Sequence, residues 1–164
     1  MKKRQKQNIA FAVIGAVIIG AVIAYNYYLD QARIKGLNFG NELQEVQEEL
    51  KRLQVDFESK VTQWKENDFT KEELLDYSTL HIKKMEELVP RYDKLAPPDS
   101  FVPSVELFKL STQSQIESDK EFILWIQTGD ESHKVRSDIL LQQAFEYELS
   151  ALNDFNAAKR GVNP

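Results

Sequence analysis

His81 and His133, the two histidines of this chain, are its most versatile side chains, because imidazole can bind metals or transfer protons near neutral pH. Di-iron helical bundles place a glutamate three residues before the histidine, as Glu-x-x-His. Here Ser78 precedes His81 at that spacing, and Asp130, a candidate helix cap, precedes His133. No phosphate-binding glycine loop, Gly-x-Ser-x-Gly or His-Glu-x-x-His motif occurs either. The sequence therefore predicts no metal site, no bound cofactor and no catalytic residue. We expect a protein that is not an enzyme, with a hydrolytic or metal enzyme as the alternative.

The stretch 8–29 is the segment that indicates a location. No charged residue occurs between Lys6 and Asp30, a gap of 23 residues, and a helix needs about 20 apolar residues to cross the hydrocarbon core of a bilayer. The tail 1–7 carries four basic residues and no acidic one, so the positive-inside bias places it in the cytoplasm. We expect residues 8–29 to be a signal anchor that spans the cell membrane once, with the C-terminal domain outside.

A cleaved secretory signal peptide is the alternative interpretation of this stretch, and it would make the mature protein secreted. Val22, Ile23 and Ala24 could form a small-residue cleavage site. The apolar run continues through Ala24 into tyrosines, which makes it longer than the roughly 7–15 apolar residues of an ordinary signal peptide. A retained anchor is therefore favoured.

Small residues recur every four positions along the predicted span. Ala12, Ala16, Gly20 and Ala24 form the small-xxx-small stripe that lets two membrane helices approach closely. A span rich in Ala, Gly, Ile and Val also produces such a stripe by chance. A lone anchor is the main expectation, and a homodimer through the span is the alternative.

The part of the chain beyond the span is acidic. Without the four basic residues of the tail, 17 Lys and Arg face 26 Asp and Glu, a net charge of −9. This balance excludes nucleic acid as an expected partner. It is typical of a solvated surface, and it also suits a basic partner or bound cations. The absence of cysteine excludes a disulfide framework.

Four amphipathic segments follow a predicted juxtamembrane hinge at 30–40. Capping residues mark their starts, and glycine or paired prolines mark their ends. Because helices joined by short loops must be antiparallel neighbours, the sequence predicts an all-α, up-down-up-down antiparallel four-helix bundle over 41–164. The predicted helices run from Asn41 to about Asn67, from Thr70 to Pro97 with an end or kink at Pro90, from Ser100 or Pro103 to Gly129, and from Asp130 to Gly161.

The third and fourth segments have different predicted core faces. Ser111, Ser114 and Ser118 make a small, slightly polar seam on the third, which indicates close helix packing, with a ligand contact as the alternative. The fourth carries large apolar residues at helical spacing, and we expect them in the core. They are Val135, Ile139, Leu141, Phe145, Leu149, Leu152 and Phe155.

His81 is expected to be buried in the middle of the bundle. Antiparallel register places it level with Ser118 and Asp119 of the third helix. Because a buried histidine needs hydrogen-bond partners, we expect a bond to one of these two side chains. A polar layer that fixes the register is the favoured interpretation, and a ligand site is the alternative.

Aromatic residues collect at the end of the bundle predicted to lie farthest from the membrane. Trp64, Phe69, Tyr77 and Trp125 fall there, with His133 beside them. They could close the core as an aromatic plug. They could also bind a partner, because Trp and Tyr dominate the hot spots of protein interfaces.

In layout the chain resembles the extracytoplasmic four-helix-bundle domains of bacterial and archaeal sensors, which a second span and a cytoplasmic output domain usually follow. That resemblance implies a ligand-sensing domain that signals through a membrane partner. Asn26 after Tyr25 also resembles the LemA family, whose basic and leucine-rich motif is not found in 30–67, so no functional residue is carried over. The residues themselves favour a non-catalytic interaction or accessory subunit with a protein partner.

Overall fold

The computed structural model describes Gly36 and residues 38–162, and this part of the chain is all helical, without a strand. Its four helices are consistent with a four-helix bundle. The predicted span 8–29, with its small-residue stripe, and the tail 1–7 lie outside the described residues. None of the described helices combines the length and the apolar character needed to cross a membrane. The elements are α1 (38–65), α2 (Lys71–Lys94), a 3₁₀ turn (Asp99–Phe101), α3 (Val102–Thr128) and α4 (Glu131–Val162).

Each helix runs antiparallel to the one before it. Side-chain hydrogen bonds show this for α1, α2 and α3, because the residue numbers rise on one helix as they fall on the next. α3 and α4 are joined by a turn of two residues and pack against each other, which requires opposite directions. The bonds pair Gln47 with Tyr92, Gln54 with Met85, His81 with Asp119, and Tyr92 with Thr112.

Local signals at three helix ends are confirmed. Thr70 and Glu73 form the predicted capping box, in which Thr70 Oγ1 accepts from the Glu73 N–H at 3.2 Å and Glu73 Oε2 accepts from the Thr70 N–H at 2.8 Å. Gly129 ends α3 in the left-handed conformation, with φ at 75°, where glycine has no steric penalty. Asp130 Oδ1 accepts from the Ser132 N–H at 2.9 Å and so caps α4.

The predicted start of α1 at Asn41 is wrong. Residues 38–40 and Gly36 are already helical, although they fall in the predicted hinge. Phe39 is 3% exposed and packs in the core. Burial of this ring extends the helix beyond the capping pattern, since tertiary packing outweighs the local preference of Asn41 for a cap.

Two predicted helix ends also differ from the structure. α2 continues past Pro90 through Tyr92, as predicted, but it ends at Lys94 and not near Pro97. Pro90 lacks the N–H for one helical bond, and the added turn buries Tyr92 in the core. α4 does not end at Gly161, since its last described helical residue is Val162. Pro90 is therefore accommodated close to the end of its helix.

α1 and α2 bury regular stripes in which spacings of four and three residues alternate. This spacing keeps one face of a helix toward its neighbour along the whole length. The stripes supply most of the core and include one buried histidine. They are Phe39, Leu43, Val46, Leu50, Leu53 and Phe57 on α1, and Leu74, Ser78, His81, Met85, Leu88 and Tyr92 on α2.

α3 and α4 meet through small side chains, and we call this contact the seam. Its residues recur every seven positions on both helices and are all buried. Among α2, α3 and α4, this is the most closely packed pair, because small contact residues let helix axes approach. The predicted small face of α3 therefore lies against α4, although Ser114 is only half-buried. The seam consists of Ser104, Ser111 and Ser118 on α3, and Ser137, Ala144 and Ala151 on α4.

The predicted core face of α4 is wrong for six of its seven residues. Phe155 alone is partly buried, and it packs against the rings of Phe39 and Phe101. The other six are between 43% and 64% exposed. Since the seam occupies the side of α4 that faces α3, the large side chains are directed outward. We call this set the outer face of α4: Val135, Ile139, Leu141, Phe145, Leu149 and Leu152.

Candidate functional site

His81 is the centre of a buried polar cluster that joins α1, α2 and α3, named here the His81 layer. The ring is 2% exposed and stacks on Phe57 with centroids 4.3 Å apart and planes 7° from parallel. Its Nε2 lies 2.9 Å from Asp119 Oδ2. Gln54 Nε2 donates to the same carboxylate oxygen at 3.1 Å. Three helices thus converge on one acceptor.

The arrangement of donors assigns a role to each atom of the layer. A carboxylate only accepts hydrogen bonds, so Nε2 of His81 donates to Asp119. Nδ1 of the ring is buried and has no hydrogen-bond partner among the described residues. The bond to Asp119 is therefore the hydrogen bond that holds the ring within the described part of the chain.

Ser118, the other predicted partner of His81, bonds to α4 instead. Its Oγ lies 2.8 Å from the carbonyl oxygen of Ser137 and 3.1 Å from the Ser137 hydroxyl. It therefore belongs to the seam. The structure brings His81 and Asp119 together and places Ser118 one helix face away from them.

A second buried polar cluster, the Tyr92 layer, was not predicted. Gln47 Nε2 donates to the Tyr92 hydroxyl at 2.9 Å, and this hydroxyl lies 2.8 Å from Thr112 Oγ1. Thr112 lies 3.1 Å from the carbonyl oxygen of Phe108, to which it donates. Tyr92 must then donate to Thr112. The hydroxyls of Tyr92 and Thr112 thus each accept one hydrogen bond and donate one. The signal for this layer was the position of two hydroxyl residues on the buried faces of α2 and α3.

Burial has a measurable electrostatic consequence for Tyr92. Removal of the phenol from water raises the pKa of Tyr92 to about 12, although its hydrogen bonds with Thr112 and Gln47 oppose the shift. The cause is that the apolar surroundings disfavour the phenolate. The hydroxyl is therefore held in its protonated form as a structural donor.

The predicted aromatic end of the bundle is assembled in the structure. Trp64 and Trp125 meet edge to face with centroids 6.2 Å apart, and Trp125 Nε1 donates to Glu131 at 3.1 Å. Nζ of Lys60 lies over the Phe69 ring, 4.8 Å from its centroid. Both indoles are half-buried and each packs against the same apolar cluster, which also includes Tyr77. The rings close the core while part of each remains accessible.

His133 has charged neighbours of its own. Its Nδ1 lies 2.6 Å from Glu121 Oε2, and Arg136 lies 3.5 Å from the other oxygen of Glu121. This group joins α3 to α4. Within the described range, no three side chains of the metal-ligating types are close enough together to hold an ion.

A groove runs between α1, α3 and α4 beside the outer face of α4. Ala144 of the seam lies in it, together with Leu141 and Phe145 from α4 and with Gln54 and Glu58 from α1. The groove was also missed from the sequence. The seven-residue recurrence of serine on α3 and of serine or alanine on α4 is the signal that could have revealed both the seam and the exposure beside it.

The first prediction concerns the His81 layer. Asp119→Leu removes the acceptor of a buried N–H, and we expect it to lower the free energy of unfolding by about 1–3 kcal/mol. The double variant His81→Leu with Asp119→Leu should recover part of this loss, since replacing both partners by apolar groups can be nearly neutral. Urea unfolding of the full chain in detergent, followed by tryptophan fluorescence, measures both.

Asp93→Leu is the matched control, because Asp93 is exposed and pairs with Lys109 at the surface. Its effect should stay within about 0.5 kcal/mol. The interpretation of the layer is wrong if Asp119→Leu is as stable as the wild type. It is also wrong if the double variant loses as much stability as Asp119→Leu and the single variant His81→Leu together.

The second prediction concerns pH and the Tyr92 layer. Tyr92→Phe should cost about 1 kcal/mol at neutral pH through the lost hydrogen bonds. The pKa of Tyr92 rises from 10.0 to about 12 on folding, so the unfolded chain loses this proton first as the pH rises. The contribution of Tyr92 to the free energy of unfolding is fully present below pH 10. Between about pH 10 and 12 it falls by up to about 1.4 kcal/mol per pH unit.

Tyr92→Phe has no such proton, so its deficit relative to the wild type should shrink across this window and reverse sign toward its upper end. Unfolding free energies at several values between pH 8 and 12 provide the comparison. A deficit that stays constant over the whole range contradicts the burial of a protonated phenol.

Comparison of the sequence with protein-family models, with curated proteins and with solved structures finds no match in any of the three.

Proposed function

We propose that this chain is a non-catalytic, single-pass membrane protein whose helical bundle acts outside the cell as an interaction or accessory subunit. The uncharged stretch 8–29 supports the anchor, and the basic tail 1–7 supports a cytoplasmic N-terminus. The bundle would have up-down-up-down topology, as the antiparallel contacts of consecutive helices favour. Its role would be to bind another protein.

The outer face of α4 is the observation that supports this role best. Large exposed apolar patches on soluble domains usually mark contact sites, because single apolar residues are common at surfaces but contiguous ones are costly. Six large apolar side chains follow one helix here, and Phe145 is 64% exposed. A helix that only closed a bundle would direct these residues into the core.

The aromatic end is the second candidate for contact with a partner. Trp64, Phe69, Tyr77 and Trp125 are each half-buried, so part of every ring is available while the rest closes the core. Rings of this type dominate interface hot spots. His133 is engaged with Glu121 and is a weaker candidate.

The third prediction tests the proposed topology. The chain has no cysteine, so a single introduced thiol reports the side of the membrane on which it lies. Ser132→Cys, at an exposed position near the start of α4, should react with a membrane-impermeant maleimide on intact cells. Gln5→Cys in the tail should react only after the cells are permeabilised.

The two variants control each other, because both depend on the same reagent and the same membrane integrity. Intact mass of the purified chain shows in addition whether residues 1–24 are retained. The proposed orientation is wrong if Ser132→Cys is labelled only after lysis, and the anchor is wrong if the purified chain has lost its N-terminal segment.

A further inference from the structure

Most of the outer face of α4, from Ile139 to Leu152, lies along a stretch of the helix whose charges are all negative. Between Arg136 and Lys159, α4 carries four acidic residues and no basic one. They are Asp138, Glu146, Glu148 and Asp154. The apolar side chains therefore occur on a helix whose local field is negative over about six turns, at 3.6 residues per turn.

Two exposed carboxylates flank this face on opposite sides. Glu58 of α1 lies across the groove from Leu141 and Phe145. Glu146 lies on α4 itself, one residue after Phe145, and its Oε1 accepts from Gln142 at 3.1 Å. An occupant that covers Phe145 would therefore approach carboxylates at both edges of the contact.

A second copy of this chain is disfavoured as the occupant. Face-to-face pairing would bring Glu58, Glu146 and Glu148 of one copy close to the same carboxylates of the other. Like charges placed together across an interface oppose association. A partner with basic edges would gain from the same carboxylates.

The apolar side chains also restrict the shape of the occupant. Leu141, Phe145, Leu149 and Leu152 are spaced by four, four and three residues, which is the pattern that a helix lying along α4 can match with its own apolar stripe. The groove between α1 and α4 provides room on one side. In helix-in-groove binding, the bound helix contributes apolar anchors at i, i+3, i+4 and i+7, a spacing that fits this stripe.

We infer that the outer face of α4 binds an amphipathic helix of a partner protein, with an apolar stripe against Phe145 and its neighbours and lysine or arginine along the edges. This inference rests on the proposed function, because it names the chemistry of the partner that an interaction subunit would bind. The apolar contact supplies affinity, while Glu58 and Glu146 select basic sequences.

Peptide binding to the full chain in a neutral detergent tests the inference. The probe is a fluorescent 18-residue helical peptide of leucine and lysine, with leucine at heptad positions a and d. One matched peptide carries glutamate in place of lysine, and another has the lysine–leucine composition in an order without an apolar face. We expect the first peptide to bind. The other two should bind more weakly, by roughly tenfold or more.

Variants of the chain locate the contact. Phe145→Ser with Leu149→Ser should weaken binding of the basic peptide by roughly tenfold or more, as loss of central apolar contacts does at interfaces. Glu58→Lys with Glu146→Lys should shift the preference toward the acidic peptide. Asp76→Lys with Glu87→Lys makes the same charge change at exposed positions of α2 and should leave the preference unchanged.

Both serine substitutions are at exposed positions, so the melting temperature should stay near that of the wild type. Equal binding of the acidic peptide overturns the inferred charge of the partner. Peptide binding that survives the serine substitutions overturns the location. A wild-type chain that self-associates through this face, with loss of association in the Phe145→Ser variant, shows that a second copy is the occupant.

Pull-down from native membranes with the wild type and the serine variant separates failure of this inference from failure of the proposed function. A partner retained equally by both chains leaves an interaction subunit in place and overturns the role of this face. If the wild type retains no partner and the basic peptide does not bind, the proposed function and the inference are both wrong.

Discussion

The close contact of α3 with α4 through serine and alanine determines how the rest of the bundle is arranged. Ser104, Ser111 and Ser118 recur with the same seven-residue period as Ser137, Ala144 and Ala151, and all are buried. Helices that meet through small residues approach closely, and the side of α4 that carries large residues then cannot face the same neighbour. The seam thus produces both the tight helix pair and the exposed outer face of α4.

The two polar layers complement the seam by joining α1, α2 and α3 through buried hydrogen bonds. Gln47 and Gln54 on α1 are seven residues apart, as are Thr112 and Asp119 on α3, whereas His81 and Tyr92 on α2 are eleven apart, so the two layers lie at different heights along the same three helices. Any slip of α2 would separate Tyr92 from Thr112 and would leave buried polar groups unpaired, which costs more than a misplaced apolar contact. Apolar stripes hold the helices together, and these hydrogen bonds are satisfied in the observed alignment.

Some local signals in the sequence were sufficient, although the capping pattern at Asn41 was overridden by the packing of Phe39. The capping box at Thr70 and the left-handed Gly129 depend on a few neighbouring residues, and both were predicted correctly. The burial of α4 could not be predicted in this way. Its large and small stripes both have helical periodicity, so the pattern identifies two candidate faces, and which of them is buried depends on the serine stripe of a different helix.

Among the candidate functional residues too, some positions could be predicted from the sequence and others could not. The pairing of His81 with Asp119 followed from counting residues along antiparallel helices, whereas the Tyr92 layer escaped notice because hydroxyl groups in an apolar stripe resemble ordinary core positions. The outer face of α4 was assigned to the core for its hydrophobicity. Hydrophobicity alone does not distinguish a side chain that packs inside one protein from a side chain that packs against another.

The reactivity of introduced cysteines tests the position of the seam most directly, because the natural chain has none. Phe145→Cys and Leu149→Cys should react with iodoacetamide in the folded protein nearly as fast as in the unfolded chain. Ala144→Cys and Ala151→Cys, at positions that are at most 1% exposed, should react only through local or global opening. The opposite order, with the thiols at 144 and 151 reactive and those at 145 and 149 protected, would show that α4 directs its large side chains into the core.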